Sequence, residues 1–144
     1  MSAFVLNPAF ESTSERLGDL TLSHARFKTD GRFPWIILIP RLSGVEELED
    51  LSAEDRVQLM DEILAAGRAV RAAGEALGRP VARLNIGMMG NKTPQMHLHV
   101  LGRSPSDALW PRPPWGIGET TAYAPGDLAL AVAAARTSLG LPSA

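Results

Sequence analysis

Thr93-Pro94-Gln95-Met96-His97-Leu98-His99-Val100-Leu101-Gly102-Arg103 is the stretch on which the reading of this chain turns. From Gln95 to Val100, polar and apolar residues alternate without a break. Successive strand side chains point to opposite faces, so this period of two predicts a half-buried strand. Met96, Leu98 and Val100 should pack on a core. Gln95, His97 and His99 should share the other face and open into one cleft, each about 6.5–7 Å from the next. Three chemistries fit such a row. It can be a polar face turned to solvent, as on many antiparallel strands. It can be a metal site, since imidazoles at i and i+2 can share an ion. That site would want a third ligand, yet His24 is distant and no carboxylate falls within seven residues after His99. It can be an imidazole nucleophile with an imidazole and an amide beside it to hold an oxyanion. Neutral imidazole is nucleophilic near pH 7 without a strong base.

Upstream, Val81 to Gly87 reads as a strand, and Met88 to Pro94 as the loop into the histidine strand. In that loop Gly90 lets a backbone approach an anion closely, and Asn91 and Lys92 can donate to phosphate oxygens. Gly-Asn is also ordinary turn chemistry. Downstream, Ser104 to Gly118 is rich in proline and holds Trp110 and Trp115. Indoles are costly to leave wet, so they either fold over the core or line a pocket.

Farther out, Trp35 to Ile39 is an unbroken apolar run that predicts a strand buried on both faces. Asp30-Gly31 before it is a hairpin signal, joining it to a strand from Leu20 to Lys28. Gly18-Asp19 is read as the link to a preceding short strand, and Asn7-Pro8 as a turn. Gly44 to Leu51 suggests a short helical turn. Ser52 is a candidate N-cap for a helix over 53–77, whose apolar residues recur at helical spacing until Gly78 and Pro80 stop it. A closing helix is predicted over 126–139. Strands, a long helix, strands and a helix favour an α+β fold, with helices on one side of an antiparallel sheet.

The chain has 144 residues, so a single domain over 1–144 is expected. Lys and Arg number 14 against 16 acids, a balance that gives no reason to expect nucleic acid or an anionic membrane as partner. With no cysteine there is no disulfide, thiolate nucleophile or Cys-ligated zinc. No signal peptide or 18-residue apolar run is read, so a cytoplasmic protein is expected.

Gln95 to Leu101, QMHLHVL, resembles the signature of the histidine-triad (HIT) superfamily of nucleotide hydrolases and transferases, three histidines alternating with apolar residues. His97 matches the middle histidine, which in that family attacks the α-phosphate. His99 matches the third, and Gln95 stands where the first usually is. Phe33–Arg41, Leu84–Asn91 and Ala108–Gly116 resemble, in that order, segments of a bacterial branch in which glutamine is usual at this place. The resemblance implies a five-stranded antiparallel sheet with one long helix packed on it, and commonly a homodimer. It puts Asn91 and Lys92 where family side chains touch phosphate, and Asn85 where one supports the nucleophile or binds ribose. It also places the Trp110–Trp115 loop beside the active site. The implied activity is cleavage at a nucleotide α-phosphate through a nucleotidyl-His97 intermediate, with His99, Gln95 and Asn91 holding the non-bridging oxygens. Dinucleoside polyphosphates and nucleoside phosphoramidates are the implied substrate types, and the scheme needs no metal or cofactor. A nucleotide-binding sensor with little chemistry is the alternative, since Gln cannot act as a general acid.

Overall fold

The computed structural model describes residues 3–143, so Met1, Ser2 and Ala144 at the ends of the expected domain lie outside the described residues. In chain order the elements are α1 (Pro8–Glu11), β1 (Ser14–Asp19), β2 (Ser23–Lys28) and β3 (Trp35–Pro40). A 3-10 turn (Leu48–Asp50) leads to α2 (Ala53–Ala76), then β4 (Arg83–Gly87), β5 (Leu98–Arg103) and α3 (Asp127–Leu139). The strands form one antiparallel sheet in the order β1-β2-β3-β5-β4.

Strand periodicity sorts the sheet into two faces. Ala25, Phe27, Ile36, Leu38, Leu98 and Val100 point to one side and are buried with Leu59, Ile63, Ala66 and Val70 of α2. Ala131, Val132 and Ala135 bring α3 into the same core. Complete burial of side chains such as Ile36 and Leu38 contributes about 1.5–3 kcal/mol each. Gly102 permits the close approach of strand and helix: a Cβ there would lie 2.6–2.9 Å from Val81, Pro34 and Val70. Ser52 caps α2 as its type predicts, its hydroxyl accepting from Asp55 N at 3.1 Å.

Trp35, Ile37, Ile39 and Leu101 point the other way. No helix layer covers them. Two other segments do: the N-terminal one, with Phe4, Leu6 and, from the single-turn α1, Phe10, and the loop after β5, with Leu109, Trp115 and Ile117. This is how β3 is buried on both faces.

Several boundaries differ from expectation: β2 begins at Ser23 rather than Leu20 and β4 at Arg83 rather than Val81, and three others have identifiable causes. The strand predicted from Gln95 begins at Leu98, because its ladder with β3 starts at Leu98 and that with β4 at His99. Met96 N instead bonds Val45 O at 3.1 Å. The expected face alternation survives ahead of the ladder, with Met96 buried in the α2 core. The turn predicted at Gly18-Asp19 lies at residues 20–22; Gly18 sits within β1, beside a register shift. The buried Glu62 carboxylate of α2 fixes that turn by accepting from Leu22 N and Ser23 N at 2.7 and 2.9 Å. Asn7-Pro8 opens the short α1 rather than a plain turn, with Asn7 Oδ1 accepting from Ala9 N.

Candidate active site

The two covering segments leave a cleft between them on the non-helical face, a cavity of about 660 Å³. His97 and His99 stand in it with Phe10, Lys28, Trp35, Asn91, Lys92 and Trp115. Both histidines are almost wholly buried as residues, and their ring centroids are 5.0 Å apart at 79°. Phe10 meets His97 edge-on at 4.9 Å, and Trp35 meets His99 at 5.5 Å.

Hydrogen bonds assign the two rings opposite tautomers. His97 Nδ1 donates to the Gln95 carbonyl at 2.7 Å, which leaves Nε2 with a bare lone pair. His99 Nδ1 accepts from Trp35 Nε1 at 3.0 Å, so the His99 proton sits on Nε2. One ring offers the cleft a nucleophilic lone pair and the other an N–H donor.

Burial favours both neutral forms. It lowers the His97 pKa, opposed by the bond to Gln95 and reinforced by the charge of Lys28. Burial, then His97 and Lys28, pushes His99 down to about 3. The unfolded His99 takes its proton near 6.5 and the folded one near 3, so between these values the unfolded state binds more protons. Stability attributable to His99 is therefore present above pH 6.5 and is lost as pH falls toward 3. From pH 6.5 to 5 we expect urea unfolding to show a loss about 2 kcal/mol larger in the wild type than in His99→Asn.

Among the cleft residues the only acid is Asp30, and it is paired with Arg32 at 2.7 Å. Lys28 and Lys92 thus give a chain of net charge −2 a locally cationic pocket.

The predicted site residues divide. His97, His99, Asn91, Lys92 and Trp115 come together in the cleft; Gln95, Asn85 and Trp110 do not line it. The expectation that Gln95 opens beside the histidines is corrected by its bonds. Its Oε1 accepts from Asn7 N at 2.9 Å, and its Nε2 donates to Val5 O at 2.8 Å. Gln95 thereby fastens the N-terminal segment that carries Phe10. Asn85 is on β4, where its Oδ1 accepts from Arg103 Nη1 at 2.8 Å. Trp110 is exposed on the loop. Trp115 lies against Gly87, where a Cβ would be 3.2 Å from the indole, so that glycine makes room for the ring.

The loop is clamped at both ends by ion pairs. Buried Arg103 holds Asp107 through Nε at 2.7 Å and Nη2 at 3.1 Å, and donates to Arg112 O. Arg32 holds Asp30 and donates to Ile117 O at 2.9 Å, while Asp30 Oδ1 accepts from Thr121 N. Sequence reasoning missed these clamps, along with Lys28, Trp35 and Phe10 as cleft residues. One signal was present: His24, Arg26 and Lys28 alternate with Ala25 and Phe27, a polar face like that of the histidine strand.

The HIT domain family model matches residues 9–106. A histidine triad protein from Bradyrhizobium japonicum has a similar structure, with 32% identity, TM-score 0.88, and 96% of this chain and 99% of that chain covered. One from Marinobacter aquaeolei VT8 gives 29%, 0.85, 96% and 98%. One from Sinorhizobium meliloti 1021 gives 29%, 0.83, 94% and 97%. No curated protein matches the chain. With a family model over more than half its length and such structural relatives over nearly all of it, the chain belongs to the HIT family, within the superfamily of nucleotide-binding hydrolases and transferases.

Proposed function

We propose that the protein is a hydrolase or nucleotidyl transferase acting at the α-phosphate of a nucleotide, through a covalent nucleotidyl-His97 intermediate. The observation that carries this reading is the pair of opposed tautomers in one cleft. His97 Nε2 attacks phosphorus. The phosphorus–leaving-group bond breaks and its electron pair departs with the leaving group. Water then attacks the nucleotidyl-imidazole and returns the electron pair to Nε2. In phosphoryl transfer, positioning and charge stabilisation supply most of the catalysis. His99 Nε2–H, Asn91 and Lys92 are the donors for the non-bridging oxygens. Dinucleoside polyphosphates and nucleoside phosphoramidates are the proposed substrates, and the cytoplasm the site of action.

The test is a panel of those two classes and nucleotide sugars, run with wild type and His97→Ala. Release of a nucleoside monophosphate by wild type alone supports the reading. Binding without turnover of any of them favours the sensor module instead.

The role of Gln95 in this scheme is to hold the site rather than to touch phosphate. Gln95→His cannot keep both bonds to the N-terminal segment, because an imidazole offers a single acceptor–donor pair in a different geometry. We expect it to slow adduct formation by about tenfold, the scale of roughly 1.4 kcal/mol of lost positioning. A rate increase would assign the position to leaving-group protonation.

We also propose a homodimer. β4 ends the sheet with an open edge and an exposed Ile86, and α2 exposes Val57, Met60 and Leu64 on one face. Sedimentation equilibrium should give twice the 15.4 kDa chain mass. A monomer at micromolar concentration counts against it.

A further inference from the structure

The proposed reaction lacks a proton donor for the leaving group. Gln95 has no titratable proton and its amide is engaged by Val5 and Asn7. His99 is neutral and its Nε2–H is a phosphate donor. Two ammonium groups remain in the cleft, the exposed Lys92, already used as a phosphate donor, and the half-buried Lys28.

Lys28 ends β2, directly across from the first residues of β3. Its Nζ stands 5.0 Å from the centre of the Trp35 ring, on the floor of the cleft. Trp35 reaches the other way to His99, so one indole spans the distance between the ammonium and the histidine pair. Among the described residues no carboxylate pairs with Lys28. Asp30, an acid whose charge it feels, is taken up by Arg32 and Thr121. A half-buried ammonium facing a ring, with no anion of its own, is a cation that a bound anion completes.

Lys28 and His97 line the same cleft, and the His97 ring feels the Lys28 charge. Nucleophile and proton donor must sit on opposite sides of phosphorus, roughly 8 Å apart. That follows from a near-attack distance of about 3–3.5 Å on one side, and on the other the bond from phosphorus to the leaving atom followed by a hydrogen bond of about 2.6–3.2 Å. Lys28 is level with Trp35 and Leu101, four residues along the sheet from His97, so about 9.5 Å across two strand spacings and roughly 13 Å along the strand put their backbones about 16 Å apart, a span that the two side chains must close from either side. The long lysine stem leaning over Trp35 shortens that gap.

We propose that Lys28 is the catalytic proton donor to the leaving group. This rests on the reading of His97 as nucleophile. In the first step His97 Nε2 forms a bond to phosphorus, the bond from phosphorus to the leaving oxygen or nitrogen breaks, and that atom takes a proton from the Lys28 ammonium. Lys28 is then a neutral amine. In the second step water bonds to phosphorus and gives a proton to the Lys28 amine, and the nitrogen–phosphorus bond breaks with its electron pair returning to Nε2. Both groups end as they began. Burial, opposed by the charge of Asp30, lowers the Lys28 pKa, which makes its ammonium the stronger acid for the first transfer.

The test compares single-turnover rates of adduct formation from two nucleoside monophosphate derivatives, a nitrophenyl ester and an alkylamine phosphoramidate. The first leaving group departs unaided, whereas the second must be protonated. Lys28→Met and Lys28→Arg are both measured; arginine keeps the cation and cannot give up its proton. Each variant should lose about 10²–10³-fold on the phosphoramidate. On the ester, lost phosphate binding alone should cost about tenfold or less. Adduct formation from the ester also shows that each variant is folded. Equal losses on both substrates, or a Lys28→Arg enzyme as fast as wild type on the phosphoramidate, would overturn the assignment. A wild type that forms no adduct from either compound would defeat the nucleophile reading itself, a separable result.

Discussion

His97→Ala should lower turnover by on the order of 10⁴-fold or more, the scale on which removal of a nucleophile acts in covalent enzymes. Nucleotide binding should remain measurable, because His99, Asn91, Lys92 and Trp115 all stay in the cleft. The size of the effect follows from the two ring nitrogens. Nδ1 of His97 is committed to the Gln95 carbonyl, so in the proposed scheme Nε2 is the atom left to attack, on a ring held edge-on to Phe10. No other cleft side chain offers such a lone pair: His99 presents N–H, and burial disfavours a charge on either ring. In the proposed scheme His99→Ala removes a donor rather than the nucleophile. Its expected loss is smaller, about 10²–10³-fold. Steady-state assays of the two variants with titration of a nonhydrolysable nucleotide check both statements. Equal losses would mean that the rings share one role.

The second large effect is on stability. Asp30→Ala should cost about 3–5 kcal/mol, the usual result of removing one partner from a buried ion pair. Asp30 is buried beneath the cleft, and its two oxygens accept from Arg32 N, Nε and Nη2 and from Thr121 N. Its loss leaves the Arg32 guanidinium with Ile117 O as its remaining acceptor, and frees the loop that carries Trp115. Denaturant unfolding gives the energy. A shift in tryptophan emission ahead of global unfolding would report the loosened loop. A cost under about 1 kcal/mol would show that the pair is solvated like a surface bridge.

The sheet, the long helix and the paired imidazoles were legible because each leaves a local period. Trp35–Ile39 reads as a strand from five consecutive apolar residues, and His97 and His99 fall on one face because they are two apart. The fate of Gln95 was not legible, although it belongs to the same period. Its partners, Val5 and Asn7, are about 90 residues away, and an amide gives no sign of which backbone it will bind. The strand also stops short of it, since alternation marks which face a residue takes but not where the partner strands end. Asp30-Gly31 was read as turn chemistry, and it does join β2 to β3. The carboxylate has a further task that depends on Arg32 bridging to Ile117, 85 residues on. Lys28 was hidden for a related reason: its place in the cleft comes from strand order, with β5 inserted between β3 and β4.

The central claim is that His97 becomes covalently nucleotidylated. Its most direct measurement is intact-protein mass spectrometry, sampled rapidly after mixing the protein with a nucleotide that has a good leaving group. Wild type should gain one nucleoside monophosphoryl group. The label should map to His97 on proteolysis, disappear as water resolves it, and be absent from His97→Ala. A label on another residue, or normal turnover by His97→Ala, would contradict the account.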